Sequence, residues 1–131
     1  MKTFDHNEFN KHQAEAKEKW GSTDAYKEHQ QKTKDYSQQK WSDLAAGMDQ
    51  IMAEFARCLQ RKDTPDSAEA QRLVQALQNH ITENYYHCTS EILAGLGQMY
   101  VADPRFQRNI DRHADGNAAF IRDAIVVYCS Q

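Results

Sequence analysis

The chain has 131 residues, 40% of them apolar, a mean hydropathy of -0.90 and a net charge of -3. That length fits one domain with one core, and the near-balanced charge disfavours a strongly basic nucleic-acid binder. No apolar run approaches the roughly 18 residues of a membrane span, and the polar start MKTFDHNEFNKH is not a signal peptide, so the expected location is cytoplasmic.

Five glycines and two prolines leave few strong breakers. Gln, Lys, Glu and Ala favour helix over strand, and period-two runs of Val, Ile and Thr are absent. The expected class is all-α. Residues 1–43 contain no Ile, Leu or Val; their bulk comes from six aromatics, Phe4, Phe9, Trp20, Tyr26, Tyr36 and Trp41. Such a segment buries too little aliphatic surface to order itself alone. It is expected to lean on the rest of the chain or on a ligand. The division is therefore 1–43, a conditionally ordered lid, and 44–131, a helical body, in one domain.

Ser37 predicts the N-cap of a long helix from about Gln38 to Gln60, with Leu44, Met48, Ile51, Met52, Phe55 and Leu59 on one stripe. Trp41 opens that stripe and reads as core. Asp63 to Asp66 is a turn, and Asp66 followed by Glu69 resembles a capping box. The next helix carries Leu73, Val74, Leu77, Ile81 and Tyr85. A break falls near His87 to Thr89, with Thr89 as a cap. Ile92, Leu93, Leu96, Met99 and Tyr100 form a third stripe. Asp103-Pro104 predicts an N-cap with proline at the first helical position, placing Phe106 and Ile110 inward. The last helix runs from about Asp115 and aligns Ile121, Ile125 and Tyr128. Phe55, Leu77, Leu96 and Ile125 are the expected core anchors.

Cys58, Cys88 and Cys129 are an odd number without CxxC spacing, which favours free thiols in a reducing compartment. His80, Glu83 and His87 have the spacing of one helix face, either a metal triad or a solvated cluster. No second Glu-x-x-His completes a di-metal site. GxSxG, Walker and dinucleotide motifs are absent. Eight of the nine lysines precede Trp41, but eight acidic residues offset them in 1–43, so a solvated face is the expected reading. The aromatics suit either a ligand pocket or ordinary packing: flat rings give large contact area at low rotamer cost.

Three stretches carry a resemblance. The first is Glu18-Lys19-Trp20-Gly21-Ser22-Thr23-Asp24-Ala25-Tyr26, followed by Thr33, Tyr36 and Trp41. The second is Tyr85-Tyr86-His87-Cys88. The third runs from Gly95 through Asp103-Pro104-Arg105-Phe106 to Arg122-Asp123-Ala124-Ile125. In order and spacing they resemble the TipAS-type antibiotic-recognition domain, the effector domain of some MerR-type transcription activators, over about Phe9 to Ile125.

The resemblance implies a globin-like helical domain, without haem, that binds bulky antibiotics such as thiopeptide macrocycles or albicidin-like aromatic oligoamides. It implies an N-terminal segment that closes over the ligand. The candidate ligand-contacting residues are Trp20, Tyr26, Tyr36, Tyr85, Tyr86, Cys88, Glu91, Met99 and Tyr100. No catalysis, cofactor, metal, membrane or direct nucleic-acid contact is expected of this chain. Two departures stand out. No winged helix or coiled coil precedes the domain, so the expected role is either a free-standing sequestering protein or the sensor part of a longer regulator. The second cysteine of thiopeptide-capturing members, seven residues after the one matching Cys88, is Gly95 here, so binding is expected to be non-covalent. The alternatives from other classes are a metal-dependent enzyme and a protein-interaction module.

Overall fold

The computed structural model describes residues 24–131. Within them lie six α-helices and no strand: α1 (Asp24–Thr33), α2 (Gln38–Gln60), α3 (Ala68–Asn84), α4 (Ser90–Ala102), α5 (Pro104–Asp111) and α6 (Asn117–Cys129). Phe4, Phe9, Trp20 and the remainder of the lid up to Thr23 lie outside the described residues. The lid boundary drawn from composition at 43/44 falls inside α2.

Local chemistry fixes most helix ends. Ser37 caps α2 by accepting from Lys40 N, and Thr89 caps α4 by accepting from Ile92 N. Asp103 caps α5 from Arg105 N, with Pro104 at the first helical position, where its missing N–H costs nothing. The start of α3 differs from expectation by one residue. Ser67 is its cap, accepting from Ala70 N. Asp66 instead accepts from the Thr64 hydroxyl, and Glu69 pairs with Arg72 rather than closing a capping box.

Two chain reversals use left-handed backbone. Lys62 (φ 64°) follows α2, and the amides of Lys62 and Asp63 reach the carbonyls of Leu59 and Cys58. That pair of bonds is a Schellman closure, which usually employs glycine. Gly116 (φ 82°) precedes α6; here the absence of Cβ admits the conformation without strain.

The core lies where α6 meets its neighbours. It packs on α2, α3, α4 and α5, most extensively on α4, while α2 lies along α3. Phe55, Leu73, Leu77, Leu93, Ile121 and Ile125 are fully buried. The expected stripes largely hold, with Tyr85 one residue past the end of α3 and a correction on α4, where Ile92 and Met99 are only partly buried. Leu96 is only partly buried as well. The inward row of α4 is Leu93, Gly97 and Tyr100. A Cβ at Gly97 would sit 3.2 Å from Ile125 Cδ1, so the missing side chain lets α6 approach, and Leu96 is left at the edge of the contact.

One polar residue sits at the centre. Asn117 has no exposed surface, and its Nδ2 donates to the carbonyls of Met52 (3.1 Å) and Ile110 (3.3 Å). It ties α2 to the end of α5 and the start of α6.

A candidate ligand-binding site of stacked rings

The segment between α3 and α4 is short, bent and pinned. The amides of Tyr85 and Tyr86 both reach the Ile81 carbonyl. Cys88 N donates to Thr82 Oγ1 (3.1 Å), and Gln78 Nε2 donates to the Cys88 carbonyl (2.8 Å). Tyr128 of α6 donates in turn to Gln78 Oε1 (2.7 Å). Both tyrosine rings are thereby carried on a braced platform.

The other rings come from α1, the 34–37 linker and the first turn of α2. Tyr36 donates its hydroxyl to the Asn84 carbonyl (2.5 Å) and meets Trp41 edge-on at 5.4 Å. Trp41 stacks on Tyr85 (6.0 Å, 29°). His29 of α1 lies nearly parallel to Tyr85 (5.7 Å, 13°) and within 6.3–6.5 Å of Tyr86, Tyr26 and Trp41. Such offset ring pairs add attraction beyond area burial. An open concavity of about 610 Å³ adjoins the cluster, lined by His29, Thr33 and Trp41 with the exposed Lys27, Gln30, Gln31 and Lys34.

Burial sets the protonation states. It is the chief cause that pushes Tyr85 and Tyr86 up to about 12, so both remain phenols at neutral pH. Burial lowers His29. His80, whose ring meets Tyr85 edge-on, is also lowered chiefly by burial, against the opposing Leu44 backbone and Glu83. Nδ1 of His29 and Nε2 of His80 are buried without a hydrogen-bond partner. Gly47 makes room for His80: a Cβ there would stand 3.2 Å from its Cε1.

The sequence-derived candidates divide into groups. Tyr26, Tyr36, Tyr85 and Tyr86 converge in the ring cluster. Tyr100 and Cys88 are buried in the core, and the partly buried Met99 packs against it. Glu91 is exposed in the first turn of α4. Trp20 lies outside the described residues. Two members were missed by sequence reasoning. Trp41, read as core, is partly buried and belongs to the cluster. His29 carried no signal beyond its position one turn after Tyr26.

Other readings change with the structure. His80, Glu83 and His87 do not share a helix face, because α3 ends at Asn84 and His87 lies in the bent segment. Among the described residues, no group of three His, Cys, Asp or Glu side chains is placed to hold a metal ion. The lysine face is not simply solvated. Lys32 donates to the Thr82 carbonyl (2.7 Å) and Lys40 stands over the Tyr36 ring (5.3 Å). Cys88 is 1% exposed, and its thiol is pushed up to about 11, first by burial and then by Cys129.

The profile of the TipAS antibiotic-recognition domain matches residues 12–128. The chain belongs to the TipAS family. It is 36% identical over 115 residues to the HTH-type transcriptional activator TipA of Streptomyces coelicolor, covering 88% of this chain and 46% of that protein. It is 39% identical over 102 residues to the HTH-type transcriptional activator mta of Bacillus subtilis, covering 78% of this chain and 39% of that protein. The chain thus spans about half the length, or less, of these curated relatives. Its backbone matches Streptomyces lividans TipAS in complex with nosiheptide, from a thiopeptide antibiotic multidrug resistance system, with a TM-score of 0.83 and 34% identity over 97% of this chain and 87% of that one. The antibiotic-binding domain of a TipA-class multidrug resistance regulator matches with a TM-score of 0.63 and 33% identity, over 69% of this chain and 96% of that one. The all-helical, globin-like arrangement expected from the TipAS resemblance is the one observed.

Proposed function

We propose that this chain binds bulky, ring-rich antibiotics of the thiopeptide or albicidin-like kind, reversibly and without chemistry on them. It does so as the sensor domain of a MerR-type activator or as a free-standing sequestering protein, in the cytoplasm of a bacterium. The observation that carries this reading is the convergence of Tyr26, His29, Tyr36, Trp41, Tyr85 and Tyr86 at the junction of α1, α2 and α3. TipAS membership and the nosiheptide-bound relative support it. No described helix is long and apolar enough to cross a membrane.

Within this reading the cluster tyrosines and Trp41 stack on the ligand, with Trp20 as a further contact. Tyr100, Met99 and Cys88 support the platform from the core side, and Glu91 offers an exposed carboxylate in the first turn of α4. Nosiheptide tests the proposal. At 100 times its dissociation constant it is expected to raise the unfolding free energy by about 2.7 kcal/mol in a thermal or denaturant titration. No shift at saturating, soluble nosiheptide and albicidin would refute the ligand class.

Capture is proposed to be non-covalent. Pushed up to about 11 by burial, the Cys88 thiol stays almost wholly protonated at pH 7, and the thiolate is the nucleophile. Gly95 is exposed, with no atom within 4 Å of the position its Cβ would take, and has no thiol to offer. Intact mass after incubation with nosiheptide is expected to show no adduct, and Cys88→Ala is expected to keep its affinity. A stable adduct that vanishes in Cys88→Ala would make Cys88 a nucleophile and reverse this part of the reading.

The lid enters through α1, its described helical part. Tyr26 and Thr33 are buried on it, and it contributes no Ile, Leu or Val to the core. Amides of α1 are expected to exchange faster than those of Leu73–Ile81 in the free protein, and to slow when nosiheptide binds. Equal protection of the two segments without ligand would rule out a movable α1.

A further inference from the structure

The C-terminal end of α3 is finished from outside the helix. A helix leaves its last four carbonyls without internal partners, and its dipole gathers negative potential there. α3 has no basic residue in its own last turn to answer that potential. The Ile81 carbonyl is taken by the amides of Tyr85 and Tyr86. The Thr82 carbonyl accepts from Lys32 Nζ of α1 (2.7 Å), and the Asn84 carbonyl accepts from the Tyr36 hydroxyl (2.5 Å). Lys40 brings a second ammonium to the same turn, 3.5 Å from Asn84 Oδ1. These partners come from 50, 48 and 44 residues away in the chain.

The bend beyond α3 receives the opposite sign. Glu28 Oε1 accepts from His87 N (2.9 Å), and the Glu28 carboxylate stands 3.6 Å from Lys32. One face of α1 thus offers an anion to a backbone amide and, one turn later, a cation to a backbone carbonyl. His29, next to Glu28, brings its ring against Tyr85. Stacked rings tolerate sliding, whereas charges of opposite sign set on a fixed amide and a fixed carbonyl define one position.

We infer that Lys32 and the Tyr36 hydroxyl are positioning residues of the binding site: they cap α3 from α1 and the 34–37 linker and so latch that part of the lid over the Tyr85–Tyr86 platform in the arrangement that holds ligand. This inference rests on the ligand-binding reading above and names what fixes the lid when it closes. The Lys32 contact is exposed, so salt screens it. Closure therefore weakens with ionic strength even when the ligand carries no charge.

Hydrogen exchange of the full chain, without ligand, tests the latch in wild type, Lys32→Met, Lys32→Arg and Tyr36→Phe. Methionine keeps the unbranched stem and helix propensity of lysine, and phenylalanine keeps the ring, so the ammonium and the hydroxyl are what is lost. Lys32→Met and Tyr36→Phe are each expected to speed exchange of the α1 amides about two- to fivefold while Leu73–Leu77 stay unchanged. Lys32→Arg restores a cation and should stay near wild type. Raising salt from about 0.05 to 0.5 M should speed α1 exchange in wild type and much less in Lys32→Met. Unchanged α1 exchange in Lys32→Met, or an equal salt response in both proteins, overturns the latch and makes Lys32 an ordinary solvated lysine. Calorimetry with nosiheptide then ties the latch to binding: Lys32→Met and Tyr36→Phe should bind more weakly than wild type, and equal or tighter binding overturns the positioning role. If wild type and every variant fail to bind nosiheptide, the ligand-binding reading falls and the positioning role with it, while the exchange data still decide the latch.

Discussion

Phe55→Ala is expected to lower the unfolding free energy by about 3–5 kcal/mol, measured by denaturant titration. The ring has no exposed surface and meets Phe120 edge-on at 6.5 Å. It lies where α2 faces α6, so its removal leaves a cavity that neither helix can close without moving the other. Leu77→Ala, equally buried, is expected to cost about 2–5 kcal/mol. Leu96→Ala should fall below that range, because Leu96 is only partly buried. Equal losses at Leu77 and Leu96 would mean that the row Leu93, Gly97 and Tyr100 is not the inward face of α4.

Asn117→Asp is expected to cost about 3–5 kcal/mol at neutral pH, the range seen when an uncompensated charge is left buried. The substitution replaces an amide that donates to two carbonyl oxygens with a carboxylate facing the same oxygens. With no exposed surface, the folded carboxyl is held well above its unfolded value. The sign follows directly. A carboxyl with a raised folded pKa penalises folding where the unfolded chain would ionise, so the deficit grows as pH rises through about 4. It should shrink below that pH, where the protonated oxygen again donates one bond. A deficit independent of pH between 3 and 7 would show that Asn117 acts through shape alone.

What the sequence discloses depends on how local the cause is. Ser37, Thr89 and the Asp103-Pro104 pair mark helix starts because each cap is a bond between a side chain and a backbone amide two or three residues away. Asp66 and Ser67 both have capping chemistry and stand side by side. The choice of Ser67 follows from the Thr64 hydroxyl engaging Asp66, which a helix-start pattern does not encode. The apolar stripes gave Phe55, Leu77 and Ile125 correctly, since a 3.6-residue period identifies the buried face. Leu96 escaped because Gly97, a residue with no apolar side chain, is what brings α6 close. In the ring cluster, Tyr26, Tyr36, Tyr85 and Tyr86 were visible through bulk and family spacing. His29 and Trp41 join them across sequence separations of 44 to 56 residues relative to Tyr85, and no local pattern reports such a meeting. Asn117 is the same kind of case. A single buried amide leaves no periodic trace, and only the carbonyls 65 and 7 residues away explain it.

The position of Trp41 has an optical consequence. The chain contains two tryptophans, Trp20 and Trp41. A Trp20→Phe protein would carry one indole, held 6.0 Å from Tyr85 and 6.5 Å from His29. Indole emission shifts in colour with water contact and dims beside a protonated imidazole. Tyrosines packed nearby pass their excitation to it. The junction of α1, α2 and α3 therefore contains its own dye, read without labels, whose spectrum changes when α1 shifts against Tyr85 or a ligand ring packs beside Trp41.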